Sequence, residues 1–427
     1  MRALRLVLSL SLLAGCVEAP PELCVPAGTA LSLSEGGRAV MSLPAGPALT
    51  FDGDAGLEVI TDAATLTVLG AYGSAGPHTL TARAATPGDC TESTLEVEVR
   101  PLVWEPLDAW DPAVEGPPAR EYGSAWVGEL AAEEGLFLFG GFHYEPAQFT
   151  PANDLWFYGF TSAGWTSVSS PDAPMVPGAR AAEGATPGSL LFHGGGFPSA
   201  DGSLDTPSAM HRLSFDGETP SWGAPAHAES APGSYTGAFV RDVRRARWLS
   251  VCGADAVVRG VHCDVLAYSE AEGWSEVAVA GESPPGRFGF HYGMDEENDR
   301  FVIAAGQGEA GPIGDTWALD LSSEPPRWER LFEDTPEVRR RNGAFVMDPV
   351  GQRLLVWGGT ADGRNAVPGL SVLRLVPGHE GWAHIEMPAS VVPRASGFGA
   401  YDAGGSRALF GLGNGTAIHT DLYALSL

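Results

Sequence analysis

The amino-acid sequence predicts an all-β protein. Glycine (56) and proline (34) make up about a fifth of the 427 residues, as many short strands joined by turns require. Beyond the first twenty residues, no stretch is periodic enough, or free enough of glycine and proline, to form a long amphipathic helix. Short segments that alternate apolar and polar residues recur along the chain. The length suffices for two or three ordinary domains.

The charge balance excludes several classes of function. The chain has 53 acidic and 25 basic residues, a net charge of −28, and every basic residue is arginine. Without lysine, neither a Schiff base nor a P-loop lysine is available. The negative charge repels phosphate backbones and anionic lipids, so we expect no nucleic-acid partner.

The N-terminus has the features of an export signal. Arg2 and Arg5 precede an apolar run, Leu6–Ala14, that is too short to span a bilayer. Its end, Leu13-Ala14-Gly15-Cys16, resembles the lipobox of bacterial lipoproteins. The resemblance implies a signal peptide over residues 1–15, a lipid on Cys16 and a linker over 16–23. Val17 stands where an aspartate would favour inner-membrane retention, so we expect an outer-membrane anchor facing the periplasm or the cell surface, and membrane contact through the lipid alone.

Four cysteines remain after Cys16, an even number in an oxidising compartment. Cys24 and Cys90 bracket one short segment, and Cys252 and Cys263 lie eleven positions apart. We expect the disulfides Cys24–Cys90 and Cys252–Cys263. A metal site is the rival interpretation, but no CxxC spacing or histidine pair accompanies the cysteines.

Residues 24–102 form a segment of their own. Six or seven short alternating runs, among them "ALSLS", "ATLTVLGAYG" and "STLEVEV", are separated by Gly, Pro and Asp turns. This pattern predicts a small β-sandwich. The stretch "GAYGSAGPHTLTARAA" followed by "TLEVEV" resembles bacterial immunoglobulin-like domains.

The remainder of the chain is built from a repeated unit. The clearest copy lies in residues 339–385: "RRRNGAFVMDPVGQRLLVWGG", then "LSVLRLV", then "GWAHIEM". A Gly-Gly pair ends the second strand at 140–141, 194–195 and 358–359, and it is altered at 252–253, 305–306 and 411–413. A late tryptophan follows in five copies: Trp165, Trp222, Trp274, Trp328 and Trp382.

These units resemble kelch repeats over residues 103–427. The resemblance implies a six-bladed β-propeller in which each blade is a four-stranded antiparallel sheet. The sixth copy stops after "DLYALSL" (421–427), one strand short, whereas "LVWEPL" with Trp104 stands alone before the first copy. We expect residues 103–107 to pair with 421–427 and to supply the missing strand.

Arginines recur at the start of the first strand: Arg120, Arg287, Arg340 and Arg394, with Arg180 placed there in the degenerate second copy and Ser234 as the exception. In kelch propellers this position lies near the central channel. Two interpretations are open. The five arginines form a cationic funnel for a carboxylate or another anion, or each fastens neighbouring blades through carbonyls and acidic side chains.

The sequence contains no strong pattern for a metal or cofactor site. The ten histidines are scattered without an HxH or HExxH pattern, so we expect no metal or cofactor. The acidic turns 52–56 and 294–300 contain oxygen ligands for Ca²⁺, but such turns are usually solvated. A galactose-oxidase-like copper enzyme needs a free cysteine, and the two disulfides leave none.

We therefore expect a monomeric, lipid-anchored, non-catalytic module that binds a protein or a glycan, with anionic ligands among the candidates. A carbohydrate-active enzyme, such as a kelch-type sugar mutarotase or epimerase, is the alternative. Fold alone does not decide between them.

Overall fold

A computed structural model describes residues 22–427 apart from 47, 63, 146–147, 199–203, 207–208, 256–259, 416 and 418. Its regular structure consists of many small β-sheets and two short 3-10 helices, Ala228–Ser230 and Val243–Arg245. The predicted all-β class is confirmed. No helix of the described residues is long and apolar enough to cross a bilayer. Residues 1–21, with the predicted signal peptide, Cys16 and most of the linker, lie outside the described part.

The N-terminal unit has seven strands: β1 (Ala30–Ser34), β2 (Arg38–Ser42), β3 (Leu49–Gly53), β4 (Leu57–Thr61), β5 (Thr65–Gly70), β6 (Gly76–Ala84) and β7 (Ser93–Arg100). They form two sheets, ordered β1-β7-β6-β3 and β2-β5-β4, with β1 parallel to β7. The alternation in β7 buries Leu95, Val97 and Val99 in a core shared by both sheets. A disulfide joins Cys24 to Cys90, as predicted.

The strands of the repeats follow in the order β8 (Trp104–Ala109), β9 (Arg120–Glu121), β10 (Ser124–Leu130), β11 (Glu133–Phe139), β12 (Phe142–Glu145), β13 (Gln148–Pro151), β14 (Leu155–Gly159), β15 (Gly164–Ser167), β16 (Ala179–Glu183), β17 (Leu190–Gly194), β18 (Phe197–Pro198), β19 (Leu204–Asp205), β20 (Met210–Asp216), β21 (Thr219–Gly223), β22 (Ala238–Asp242), β23 (Arg247–Asp255), β24 (Gly260–Ser269), β25 (Gly273–Glu276), β26 (His291–Asp295), β27 (Arg300–Ala304), β28 (Gln307–Gly308), β29 (Gly311–Pro312), β30 (Thr316–Asp320), β31 (Arg327–Phe332), β32 (Ala344–Asp348), β33 (Arg353–Trp357), β34 (Leu370–Arg374), β35 (Gly381–Ile385), β36 (Phe398–Asp402), β37 (Arg407–Gly411) and β38 (Asp421–Ser426).

Six antiparallel sheets of four strands account for most of them. Sheets 1 to 6 have the orders β10-β11-β14-β15, β16-β17-β20-β21, β22-β23-β24-β25, β26-β27-β30-β31, β32-β33-β34-β35 and β36-β37-β38-β8. Strands β9, β12 and β13 form a small additional sheet, and β18-β19 and β28-β29 form short hairpins between the second and third strands of their sheets.

The six sheets follow one another in cyclic order. The first strand of each sheet contacts the first strand of the next, and β36 of sheet 6 contacts β10 of sheet 1. An apolar cluster lies between every neighbouring pair of sheets, including sheets 6 and 1. Because each sheet packs against a neighbouring sheet on both of its faces, second strands such as Arg353–Trp357 are buried at every position.

The predicted strand exchange between the chain ends is present. Strand β8 pairs antiparallel with β38, so the observed partner spans Trp104–Ala109 rather than 103–107. Trp104 lies opposite Leu425, as Trp382 of sheet 5 lies opposite Leu373. The Trp104 ring packs 5.7 Å from that of Trp357 in sheet 5, so it fills a site between sheets.

Six residues with left-handed backbone, one for each sheet, form what we call the axial ring: Tyr122, Gly178, Thr236, Gly289, Asn342 and Ser396. Five backbone hydrogen bonds of 2.7–3.2 Å join neighbouring members, from Tyr122 N–H to Ser396 C=O and from Gly178, Gly289, Asn342 and Ser396 N–H to the member before each. We call this end of the six sheets the ring face. The opposite end, where hairpins join first and second strands, is the hairpin face.

The N-terminal unit docks on the hairpin face. Arg353, which begins the second strand of sheet 5, donates to Ser34 Oγ at 2.7 Å and to the Glu35 carbonyl. Arg38 donates to the Val350 carbonyl at 3.2 Å in the same hairpin of sheet 5. Because Ser34 ends β1, Cys24 lies toward the end of the unit that is distant from the six sheets.

Candidate functional site

The arginines at the first strands are buried. We call the residue two positions before each axial-ring residue the start position. Arg120 at the start position of sheet 1 has no exposed side-chain surface. Its Nη atoms donate to both carboxylate oxygens of Asp154 at 2.6 and 2.7 Å, and Nη1 also donates to the Gly140 carbonyl at 3.0 Å. Burial alone would raise the pKa of Asp154, but hydrogen bonds from His143 and Arg120 lower it.

Sheets 4 and 6 repeat this construction. Arg287 donates to Asp315 at 2.6 and 3.1 Å and to the Ala305 carbonyl at 3.1 Å. Arg394 binds Asp421 and lies 4.7 Å from the Trp357 ring. The hydrogen bonds of each guanidinium thus join segments of its own sheet, and the Arg394 guanidinium also contacts the Trp357 ring of sheet 5. The neighbouring sheet is held by backbone hydrogen bonds, in which glycine N–H groups donate to the start-position carbonyls of Arg120, Ser234, Arg287, Arg340 and Arg394.

Arg340 in sheet 5 is buried without a carboxylate partner. It donates to Ser371 Oγ at 2.9 Å and to the Glu337 carbonyl at 3.0 Å. Gly369 stands where sheets 1, 4 and 6 have Asp154, Asp315 and Asp421, and burial lowers the pKa of Arg340 to about 10.

The structure corrects the placement of Arg180. His193 pairs with Arg180 as Trp357 pairs with Ala344, so Arg180 is equivalent to Ala344 and lies four residues beyond the start position. Val176 occupies the start position of sheet 2, two residues before Gly178. The five arginines therefore do not converge: four are enclosed within their sheets, and Arg180 alone lines the central channel.

The channel wall is uneven. At one level of the first strands, sheets 6, 1 and 2 contribute the small residues Gly399, Ala125 and Ala181. Sheets 3, 4 and 5 contribute Phe239, Tyr292 and Phe345 at the same level. A cavity of about 160 Å³ lies between this level and the axial ring, and a wider section of about 460 Å³ continues toward the hairpin face. The two sections share Ala125, Ala181, Tyr292, Phe345 and Gly399.

One acidic side chain lies beside the axial ring. Glu121 is buried, accepts a hydrogen bond from Asn414 Nδ2, and precedes Tyr122 in the chain. Burial raises the pKa of Glu121 to about 7, against the opposing effect of hydrogen bonds from Asn414 and Ser396. A carboxyl group with this pKa can exchange protons near neutral pH.

The ring face is rich in aromatic side chains. The Tyr122 ring lies 6.2 Å from both Tyr235 and Phe142, and Asn342 Nδ2 donates to Tyr122 Oη at 2.9 Å. Burial raises the pKa of both tyrosines, so their hydroxyl groups are neutral hydrogen-bonding groups.

The other predicted sites are structural. Both disulfides form, so Cys252 is joined to Cys263 and no described cysteine is free. The carboxylates of the acidic turns are engaged by protein groups: Asp295 accepts from Asn298 and Arg300, and Asp54 accepts from Thr79. No group of three or more potential metal ligands occurs among the described residues.

One repeated motif escaped the sequence interpretation. In sheets 3 to 6 an aspartate ending the first strand accepts a hydrogen bond from the Nε of an arginine five residues later: Asp242–Arg247, Asp295–Arg300, Asp348–Arg353 and Asp402–Arg407. The fixed five-residue spacing is visible in the sequence. Glu121 gave no comparable signal, because its burial depends on Asn414 and Ser396 from sheet 6.

Comparison with known proteins gives partial similarities. No family model matches the chain. Over 126 residues it is 29% identical to Adagio protein 3 of Arabidopsis thaliana, covering 29% of this chain and 19% of that protein. Over 121 residues it is 31% identical to putative adagio-like protein 2 of Oryza sativa subsp. japonica, covering 28% and 18%. The chain thus matches less than a fifth of the length of these relatives. The similarities and the all-β architecture of many small sheets fit a kelch-type β-propeller.

Proposed function

We propose that the six sheets are the blades of a kelch-type β-propeller and that the protein is a non-catalytic binding module. Its ring face would take a protein or glycan ligand. The observation that carries the proposal is the position of the N-terminal unit, which occupies part of the hairpin face through Arg353 and Arg38, while none of its described residues lines the cavities at the ring face. The partial similarity to adagio proteins is consistent with an interaction module.

The chemistry of the ring face supports this function. Tyr122, Tyr235 and Phe288 are partly exposed around the axis, and Arg341, which is also partly exposed, lies near Tyr122. Tyrosine and arginine contribute strongly to binding surfaces because they combine apolar area with hydrogen bonding. A groove of about 570 Å³ lies at the rim of this face, between Pro285 and the β28–β29 hairpin. Inserted hairpins also lie here, and binding groups are commonly carried by such connections.

The N-terminal segment would set the orientation of the module. We propose that Cys16 carries a lipid in the outer membrane and that residues 24–102 are an immunoglobulin-like spacer. Cys24 lies toward the end of the unit that is distant from the six sheets, so a membrane anchored there would leave the ring face pointing away. A monomer suffices for this arrangement.

Matched charge reversals test the binding face. Arg341→Glu changes the ring face, whereas Arg241→Glu changes the hairpin-side mouth of the channel. Full-length detergent-solubilised protein would be tested on a glycan array and by quantitative cross-linking to envelope proteins. For the ligand found in this way, we expect Arg341→Glu to weaken the affinity at least tenfold and Arg241→Glu to change it less than twofold. Equal effects of the two variants would contradict the assignment.

Glu121 supports the alternative function of a sugar mutarotase or epimerase. Its pKa of about 7 and its position beside the axial ring suit a general acid or base. Exchange spectroscopy on sialic acid and galactose measures anomer interconversion directly. Acceleration by the parent protein that Glu121→Gln abolishes would establish the enzyme, and no acceleration by the parent would reject it.

A further inference from the structure

Arg180 is a charged side chain that lines the central channel. No hydrogen bond or ion pair to its guanidinium is present among the described residues, and its Nε is enclosed without an acceptor. Its Cζ lies 5.8 Å from the centre of the Phe345 ring, which belongs to the opposite side of the channel. The start-position arginines, by contrast, have their donors met by carboxylate, hydroxyl and carbonyl oxygens. An enclosed N–H donor such as Arg180 Nε is costly to leave without an acceptor unless a ligand supplies one.

The surroundings of Arg180 are positive, although the protein as a whole is acidic. Arg340 lies near the same part of the channel and also lacks a carboxylate partner. Both guanidinium groups act on His291, whose pKa is lowered to about 3, mainly by burial and then by Arg340. His291 is therefore neutral and accepts a hydrogen bond from Gly343 N–H at 3.1 Å. Glu121 acts together with Arg180 on Tyr235, but no carboxylate among the described residues forms an ion pair with Arg180 or Arg340.

The cavity beside Arg180 has one polar and one apolar side. Asn342, Ser396 and the Tyr122 ring line the end toward the axial ring. Tyr292 and Phe345, with ring centres 4.8 Å apart, line the wall formed by sheets 4 and 5. The volume of about 160 Å³ admits only a small molecule, and the wider section of about 460 Å³ gives a route in from the hairpin face. No described residue of the N-terminal unit lines that route.

We propose that the central channel is a binding site for a small monocarboxylate with a short apolar tail. The carboxylate would accept two hydrogen bonds from Arg180, the geometry that a guanidinium fork favours. The tail would pack on Phe345 and Tyr292, where it removes apolar surface from water. This site lies within the channel and adjoins the ring face at Tyr122, but it does not depend on the function proposed for that face.

Arg180→Met tests the site, with Arg212→Met as the matched control. Arg212 lies in the same sheet but binds Glu270 at 2.6 Å on the surface. Butyrate and benzoate would be titrated into the full-length protein by calorimetry, with thermal unfolding measured in parallel. We expect both acids to bind and to raise the melting temperature of the parent and of Arg212→Met. Arg180→Met should bind at least tenfold more weakly.

Stability separates a ligand-binding arginine from a structural one. Since the described residues supply no acceptor for Arg180, Arg180→Met should melt at or above the temperature of the parent without ligand. If that variant does not fold, Ala125→Leu, which fills the small-residue side of the cavity, should remove binding instead. Absence of binding to the parent, equal binding by Arg180→Met, or an equal response to chloride and phosphate would each overturn the proposal.

Discussion

At the scale of single residues, the buried arginines divide by their partners. Arg287 is fully buried against the carboxylate of Asp315, whereas Arg340 meets only hydroxyl and carbonyl oxygens. Removing the first leaves a buried carboxylate without its counter-charge. Removing the second leaves no unpaired charge.

The two substitutions should therefore differ in cost. We expect Arg287→Met to lower the free energy of unfolding by about 3–5 kcal/mol. Arg340→Met should lower it by about 1–3 kcal/mol, the cost of unsatisfied neutral acceptors. Urea denaturation of the two variants measures the difference. A larger loss for Arg340→Met would show that the Arg287–Asp315 pair is not the dominant contact.

Glu121 predicts a pH dependence of stability. Its folded-state pKa is about 7 against an ordinary value of 4.5, so the native state binds the proton more tightly. Its contribution to stability is fully present below pH of about 4.5 and is lost as the pH rises through about 7. Between pH 5 and 8 the melting temperature of Glu121→Gln should therefore rise relative to that of the parent. A constant difference in melting temperature between the two proteins across this range would contradict the raised pKa of Glu121.

Residue roles were predictable where the repeat is regular. Arg120, Arg287, Arg340 and Arg394 could be aligned from the sequence because a glycine follows each of them by two or three residues. Sheet 2 lacks both the arginine and the aspartate at the equivalent places. The nearest arginine in the sequence, Arg180, therefore resembles a start-position residue although it lies four residues beyond the start position. Burial of the other four arginines could not be read from the sequence, because Asp154, Asp315 and Asp421 come from later segments.

At the scale of elements, the second residue of each Gly-Gly pair is constrained by space. Gly359 has a φ of 81°, and a Cβ there would lie 2.8 Å from the Arg341 carbonyl oxygen and 2.9 Å from Gly343 N. The first residue of the pair varies between sheets: Cys252, Ala305 and Leu412 occupy it with positive φ, whereas a Cβ at Gly358 would overlap the Arg394 carbonyl oxygen. The altered copies in the sequence all keep the second glycine for this reason.

Gly359→Ala should lower the free energy of unfolding by about 3 kcal/mol or more, from backbone strain and overlap together. Gly363→Ala is the matched control. Its φ is 74°, but the nearest atom is the flexible Arg341 Nη2 at 3.1 Å, so we expect a loss of about 1 kcal/mol. Chemical denaturation of both variants gives the comparison, and equal losses would show that strain alone acts at Gly359.

Strand periodicity and turn residues sufficed to predict most elements. The five late tryptophans lie in fourth strands, opposite third-strand residues such as Tyr158, Leu319 and Leu373. The additional hairpins β12–β13 and β18–β19 were not predicted, because their residues lack a clear alternation and belong to variable connections.

At the scale of the whole molecule, closure was predictable and docking was not. A repeat that lacks its tryptophan strand, and an isolated tryptophan strand far upstream, together predict the pairing of β8 with β38. The docking position of the N-terminal unit depends on single side chains such as Arg353 and Arg38. In the sequence these residues cannot be distinguished from ordinary surface arginines. The two faces, and the channel between them, follow only from the three-dimensional arrangement.

Cross-linking of β8 to β38 tests the closed arrangement most directly. Glu105 lies opposite Ala424 in the pairing, so the double variant Glu105→Cys and Ala424→Cys should form a disulfide on oxidation. The control is the double variant Glu105→Cys and Thr166→Cys, because Thr166 lies in the fourth strand of sheet 1 and not opposite Glu105. Peptide mass spectrometry should find the 105–424 disulfide in most molecules and no 105–166 disulfide. Predominant linkage of 105 to 166, or no linkage of 105 to 424, would contradict closure by the N-terminal strand.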